Sequence, residues 1–312
     1  MNLDLLKNEP RLLIEVSLQP IAGTRFQPTG FPDLGAATYK SADNADMLLV
    51  ESAQSMANRL EAAIWDSGAN DLVAPLKGLP YVIATDAAGE SLTNSVLEAH
   101  RINSPYIYNA EGFAAIETAV GYDDKKPFSS RKLAAALFKY DINSLLHGIF
   151  LEKIGGVVRL PRALSGFIEA TKVNVAASGG VKNDRVRAST EGEGKDASTG
   201  YGNVPFHRDE YTGVITAYFN LDLALIRGFG LGAPAENLLV ALALYKVQRF
   251  LRDGLRLRTA CDLDATEVKV TRPKAGFTLP TVNELEADLP DLIKAANSAF
   301  VSPAKTTLKY KG

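Results

Sequence analysis

Residues 187–203 read RASTEGEGKDASTGYGN. The stretch holds four glycines and no Leu, Ile, Val, Met, Phe or Trp, so nothing in it can anchor in a core and it must protrude as a loop or hairpin tip. VKNDRVR (181–187) stands before it and VPFHRDEYTGVITAYF (204–219) after it, both with strand-like alternation. The pattern predicts a long β-hairpin, with 181–213 as its outer part. Upstream, 157–160 reads as a strand and 163–175 as strand-like, with some helix still open there. Downstream, RGFGLGAPAE (227–236) is a glycine turn opening a helix, with Pro234 near its first position and Glu236 in its first turn. That helix runs to about Gly254.

Further out, RLLIEVSLQ (11–19) reads as a buried strand stopped by Pro20. The next segment, IAGTRFQPTGFPDLGAATY (21–39), carries three glycines and two prolines, an irregular loop too apolar for a linker. The spacing of Met47, Val50, Ala53, Ala57, Leu60 and Ile64 predicts one amphipathic helix over 43–65. Residues 66–128 mix short apolar runs such as YVIAT (81–85) with Gly, Pro and Asn, and read as an inserted subdomain. A helix is expected over 131–140. Asp141 and Ser144 offer caps for another through Leu145, Leu146 and Phe150, ended by Gly155 and Gly156. Residues 267–271 alternate as a closing strand, and Thr281 with Glu284 forms a capping-box pattern before a helix over 282–298. The tail SPAKTTLKYKG (302–312) reads as frayed. The fold class is α+β.

The chain has 312 residues, 46% of them hydrophobic and 22% charged, which excludes collagenous, mucin-like and wholly disordered classes. A net charge of −2 excludes a polybasic coat, so any anion site must be a local patch. Cys261 is the only cysteine, which excludes a disulfide scaffold and a thiolate metal cage. MNLDLLKNEPRLL has an early acid and no signal-like apolar run, and no uncharged stretch is long enough to cross a bilayer, so a cytoplasmic protein is expected.

His100, His147 and His207 lie far apart without metal-ligand spacing, and no G-x-S-x-G elbow is present. Each histidine reads as surface or satisfied core. The turn Gly228–Ala233 fits a relaxed G-x-G-x-x-A dinucleotide fingerprint between an expected strand and helix, which leaves a dinucleotide-binding oxidoreductase as a rival reading. Against it, the strand that follows brings no well-placed acid. Lys246, Arg249, Arg252 and Arg256 follow at short steps and predict a basic helix face suited to phosphates, with a solvated, salt-bridged face as the alternative. Ser52, Ser55 and Arg59, bordered by Asn58, share one face of the first helix. That set suits sugar-phosphate contact, again against a plain solvent face.

Four stretches together resemble one family: LQPIAGTRFQPTGFPDLGAATY (18–39), ESAQSMANRLE (51–61), DINSLLHGIFLE (141–152) and NVPFHRDEYT (203–212) are similar to the backbone subunit of type I-G (formerly I-U) CRISPR Cascade complexes, of the RAMP superfamily. The resemblance runs through nearly the whole chain and is weakest over 66–128. It implies a ferredoxin-like (modified RRM) palm from 1–65 and 129–300, an inserted finger subdomain at 66–128, a β-hairpin thumb at 181–213 and a tail at 301–312. It further implies a non-catalytic, cofactor-free subunit that oligomerises along guide RNA and presents it for pairing with target DNA. Its partners would be CRISPR guide RNA, the target strand, copies of itself and other Cascade subunits, with no membrane. The residues then expected at RNA are Gly23, Thr24, Arg25, Ser52, Ser55, Asn58, Arg59, Arg185, Arg187, Phe206, His207, Arg208, Lys246 and Arg249. Related type III subunits cut RNA with an acid after the first strand. Asp33 occupies that loop but reads as a turn former rather than a catalyst.

Overall fold

The computed structural model describes residues 3–31, 34–183 and 203–311. Strand β1 (Arg11–Pro20) alternates as its sequence demands, with Leu12, Ile14, Val16 and Leu18 turned into the core. Each buried aliphatic side chain of that size contributes about 1.5–3 kcal/mol. After the loop come β2 (Thr38–Lys40), β3 (Asp46–Glu51) and α1 (Ala53–Ala62). The single helix expected over 43–65 is therefore a strand followed by a shorter helix. DMLLVE is a contiguous apolar run that pairs with strands on both sides, and Ser52 caps the helix only after it, its Oγ accepting from Ser55 N at 3.2 Å.

Within 66–128, β4 (Tyr81–Thr85) and β5 (Ser91–Asn94) form an antiparallel pair. Helix α2 (Ser130–Tyr140) follows, then α3 (Ile142–His147), which stops at Gly148 (φ +75°) rather than at Gly155. Phe150 instead lies on β6 (Ile149–Leu151), which pairs with β7 (Val158–Leu160) around the Gly155–Gly156 turn. Strands β8 (Leu164–Asn183) and β9 (Asn203–Asp222) pair antiparallel from Leu164↔Leu221 to Asn183↔Asn203, the long hairpin that the sequence pattern predicts. Residues 184–202, expected as its tip, lie outside the described residues.

Next come α4 (Leu223–Gly228), α5 (Ala233–Asp253), β10 (Arg256–Arg258) and β11 (Cys261–Arg272), longer than the expected 267–271. The capping box of Thr281 and Glu284 opens α6 (Val282–Ala296) as its sequence predicts. The tail is not frayed: β12 (Lys305–Lys309) lies parallel to β4, from Lys305↔Tyr81 to Lys309↔Thr85, and buries Leu308. Thr306 and Leu308 turn to the docked face while Lys305, Thr307 and Lys309 stay exposed.

The main sheet is antiparallel throughout, in the order β10–β11–β1–β9–β8–β3–β2. Along the chain β1, α1, β8, β9, α5 and β11 make a β-α-β-β-α-β series, its strands standing in the order β11–β1–β9–β8. Helices α1 and α5 pack on this sheet and on each other, and α6 covers α5. Nearly every position of α5 from Leu238 to Val247 is buried, as expected for a helix apolar on all sides.

Candidate nucleic-acid interface

Glu51, the last residue of β3, is 1% exposed, so its carboxylate must be paired to be tolerated. Oε1 accepts from Arg59 Nε at 2.6 Å and from the Ser55 hydroxyl, and Oε2 accepts from Arg258 Nη2 at 2.5 Å. The two guanidiniums reach onward to backbone carbonyls: Arg59 Nη2 to Leu257 O at 2.7 Å, Arg258 Nη1 to Gln27 O at 2.8 Å. One buried acid thereby fastens α1, β10 and the loop after β1. The expected free polar face of Ser52, Ser55 and Arg59 is largely taken up by this network and by the helix cap.

The loop itself is stitched down by backbone. Phe26 is fully buried and exchanges both amide bonds with Tyr211 on β9 (2.9 and 2.8 Å), and Gln27 N donates to Ala260 O at 2.7 Å. Gly23 holds φ +72°, a conformation costly for other residues, with open space where a side chain would stand. Arg25 and Arg208 both pair with Glu210 on β9, at 3.5 and 2.7 Å, and Arg208 Nη1 donates to Gln27 Oε1 at 3.4 Å. The structure thus brings Gly23, Thr24, Arg25 and Arg208 together along two shallow clefts of about 370 and 400 Å³ beside residues 208–210 of β9. The Arg25 side chain is 55% exposed and its contact with buried Glu210 is long at 3.5 Å, while Arg208 holds the same acid at 2.7 Å, so the Arg25 guanidinium has room to turn toward a phosphate.

The remaining expected residues separate. Asp33, Arg185 and Arg187 lie outside the described residues, and Phe206 and His207 are placed only by register, opposite Gly180 and Gly179. The basic face on α5 does not exist. Lys246 is fully buried, donates to Asn143 Oδ1 and lies 2.9 Å from His147 Nε2, and burial lowers its pKa to about 7. Its neighbours in LLVALALYKV are all apolar, the signal that this helix has no solvent side there. Arg249 is tied to Asp253 and Glu286 at 3.3 and 3.7 Å, and Arg252 to Asp253 at 2.9 Å. The salt-bridged alternative describes these arginines.

The dinucleotide reading fails on context. Helix α4, not a strand, precedes Gly228–Ala233, and Arg131 packs so closely that a Cβ on Gly230 would lie 2.8 Å from its Nη2. The strand–turn–helix that aims amides at a pyrophosphate is absent.

Asn58 faces a third cleft, of about 770 Å³, between α1, the 99–108 segment and the β6–β7 hairpin. Its walls include Lys153, Arg159 and Arg162, three cations absent from the sequence-based set. The strand over 157–160 was legible, but Phe150 was expected on a helix, and the pairing that sets it opposite Arg159 was not legible.

With this geometry in hand, comparison with known families is decisive on one point: the family described as CRISPR-associated protein GSU0053 matches residues 12–175, more than half of the chain. The chain belongs to this family. The matched span contains β1, the loop, α1, the 770 Å³ cleft and the start of β8, while β9 and α5 lie beyond it. No curated protein matches the chain. Among solved structures, a chain of a CRISPR RNA-guided surveillance complex in a pre-nicking state is 12% identical over 91% of this chain and 88% of its own, with a TM-score of 0.43. A chain of another CRISPR RNA-guided surveillance complex is 13% identical over 88% and 74%, at 0.41. Csc2 of Thermofilum pendens is 10% identical over 95% and 82%, at 0.31.

Proposed function

We propose that this member of the GSU0053 family is a non-catalytic backbone subunit of a CRISPR effector complex, which binds guide RNA, lines up with further copies along it and leaves its bases free to pair with target DNA. Family membership is the observation that carries this reading. In it, the β-α-β-β-α-β series is a ferredoxin-like palm, 66–128 is the finger and the outer part of the β8–β9 hairpin, 181–213, is the thumb. Gly23, Thr24, Arg25 and Arg208 touch the RNA backbone at the base of that thumb, where an open glycine backbone and an exchangeable guanidinium suit a phosphate. Arg185, Arg187, Phe206 and His207 are further RNA contacts, and Asp33 has no catalytic part. Ser55 and Arg59 act through Glu51, holding the loop in place. With a net charge of −2, binding depends on this one-sided placement of cations.

The test is expression with a CRISPR array, followed by purification and sizing. Several copies on one protected guide RNA are expected. A monomer free of nucleic acid would overturn the proposal.

A further inference from the structure

The arginines near the loop after β1 each face an acid: Arg25 and Arg208 face Glu210, and Arg59 and Arg258 face Glu51. The 770 Å³ cleft follows the opposite rule. Among the described residues, Lys153, Arg159 and Arg162 on its walls make no ion pair. Arg162 is held only by neutral acceptors, Ala53 O at 2.9 Å and the Gln54 amide oxygen, so its geometry is set while its charge is left open. Arg101, on the same cleft wall, is neutralised by Glu61 at 2.6 and 3.0 Å and donates to Gly148 O at 3.1 Å. Desolvation, then the nearness of Arg101, depresses the Arg162 pKa. Glu152 also lines the cleft but pairs with none of these three cations, and like charges gathered in one concavity cost stability that a bound anion offsets.

Aromatic side chains sharpen the ligand class. Phe150 is 47% exposed and sits directly across the β6–β7 pair from exposed Arg159, on the same face. Tyr108 lies 5.6 Å beneath the Lys153 ammonium. Arg101 itself holds φ +54°, a strained conformation for a non-glycine residue, which the Glu61 and Gly148 bonds keep in place. Flat apolar rings alternating with unpaired cations are the pattern that stacks bases and tracks phosphates. The cleft volume falls within the range of small-ligand sites, of the order of 300–1,000 Å³.

We propose that this cleft is a second polynucleotide site, separate from the loop after β1, that holds a short single-stranded segment with Arg159 and Arg162 on phosphate oxygens and Phe150 under a base. The proposal takes from the proposed function only that nucleic acid is the ligand class. The same chemistry is offered by a guide RNA and by a DNA strand of the target.

The test uses nucleic-acid-free full-length protein, with Arg159→Glu and Phe150→Ala, both at exposed positions outside any hydrogen-bond network. Fluorescence anisotropy with labelled oligouridine and oligothymidine is read across a salt series. Arg159→Glu is expected to weaken binding about tenfold or more and to lower the salt slope by about one. Phe150→Ala should weaken it about fivefold or more, the effect of one lost stack. A loss confined to oligouridine assigns the site to guide RNA, and one confined to oligothymidine assigns it to DNA. Unchanged affinity and slope in both variants, with unchanged circular dichroism, would overturn the proposal, as would tighter binding of polyglutamate than of either oligonucleotide. RNA copurifying from cells that carry the array reports separately on the guide-binding function, since wild type and both variants should carry it through the loop.

Discussion

Glu51→Gln is the most informative single change outside the clefts. The carboxylate accepts from two guanidiniums and a hydroxyl while 1% exposed. An amide of the same size has one acceptor oxygen, and its NH₂ would face a cation. Breaking a fully buried ion pair costs about 3–5 kcal/mol. The Arg59 and Arg258 side chains are 25% and 24% exposed, so water recovers part of their solvation. We therefore expect a loss of about 2–4 kcal/mol, a large fraction of the roughly 5–15 kcal/mol that holds a domain folded. The assay is urea unfolding, with stability taken from the midpoint and slope. Adding Arg59→Met to Glu51→Gln should cost less than the sum of the single changes, because the second removes a charge that the first has stranded. Faster proteolysis within residues 21–29 should accompany the loss, since Arg258 links Glu51 to the Gln27 carbonyl. A Glu51→Gln protein within about 0.5 kcal/mol of wild type, the scale of an ordinary surface change, would refute the claim that this acid organises the interface.

Arg25→Gln should leave the urea midpoint nearly unchanged, because the Arg25 guanidinium is exposed and Arg208 still pairs with Glu210 at 2.7 Å, yet weaken binding to every guide sequence alike and lower the salt slope by about one; sequence-dependent loss would point to base contact instead. Leu308→Ala should cost about 2–5 kcal/mol, since this side chain anchors β12 beside β4, and a neutral result would mean the tail is dispensable. Lys246 gives a pH prediction. Its pKa falls from 10.5 to about 7 on folding, so between those values the unfolded chain binds more protons and stability rises with pH. Lys246→Met should flatten that rise over roughly pH 7 to 9.5, below the range where tyrosines ionise, and an unchanged slope would show that the lysine is not the source. Asp141, raised to about 6, makes stability fall as pH rises from 3.8, while His147, held neutral, acts in the opposite sense below 6.5, so the acid side offers no comparably clean window.

Much of the fold was legible because the signals were local. Alternation in RLLIEVSLQ gives β1, the coreless run at 187–203 marks a hairpin, and Thr281 with Glu284 marks the start of α6. What the sequence hid was set by pairing at a distance. DMLLVE has apolar spacing compatible with a helix, and only its neighbours on either side, residues 168–171 and 38–40, make it a strand. KTTLK looked like a frayed end because its partner, YVIAT, lies over two hundred residues earlier.

The same distinction governs the cations. Arg59, Arg249 and Lys246 were chosen from sequence by residue type and local spacing and Arg25 and Arg208 through the family resemblance, and in the fold the four arginines lie beside carboxylates while Lys246 is sealed in the core. Arg159 and Arg162 have no distinctive spacing at all. They stand out only once the fold shows that, among the described residues, no acid pairs with them. How freely an arginine can meet a ligand depends on its nearest carboxylate, which Glu51 supplies to Arg258 from 207 residues away. An anion entering the loop region must displace Glu210 from Arg25, whereas one entering the third cleft displaces only water. At equal contact number the third cleft should therefore be the tighter site, while the salt slope, set by the number of phosphates neutralised, should be the same at both.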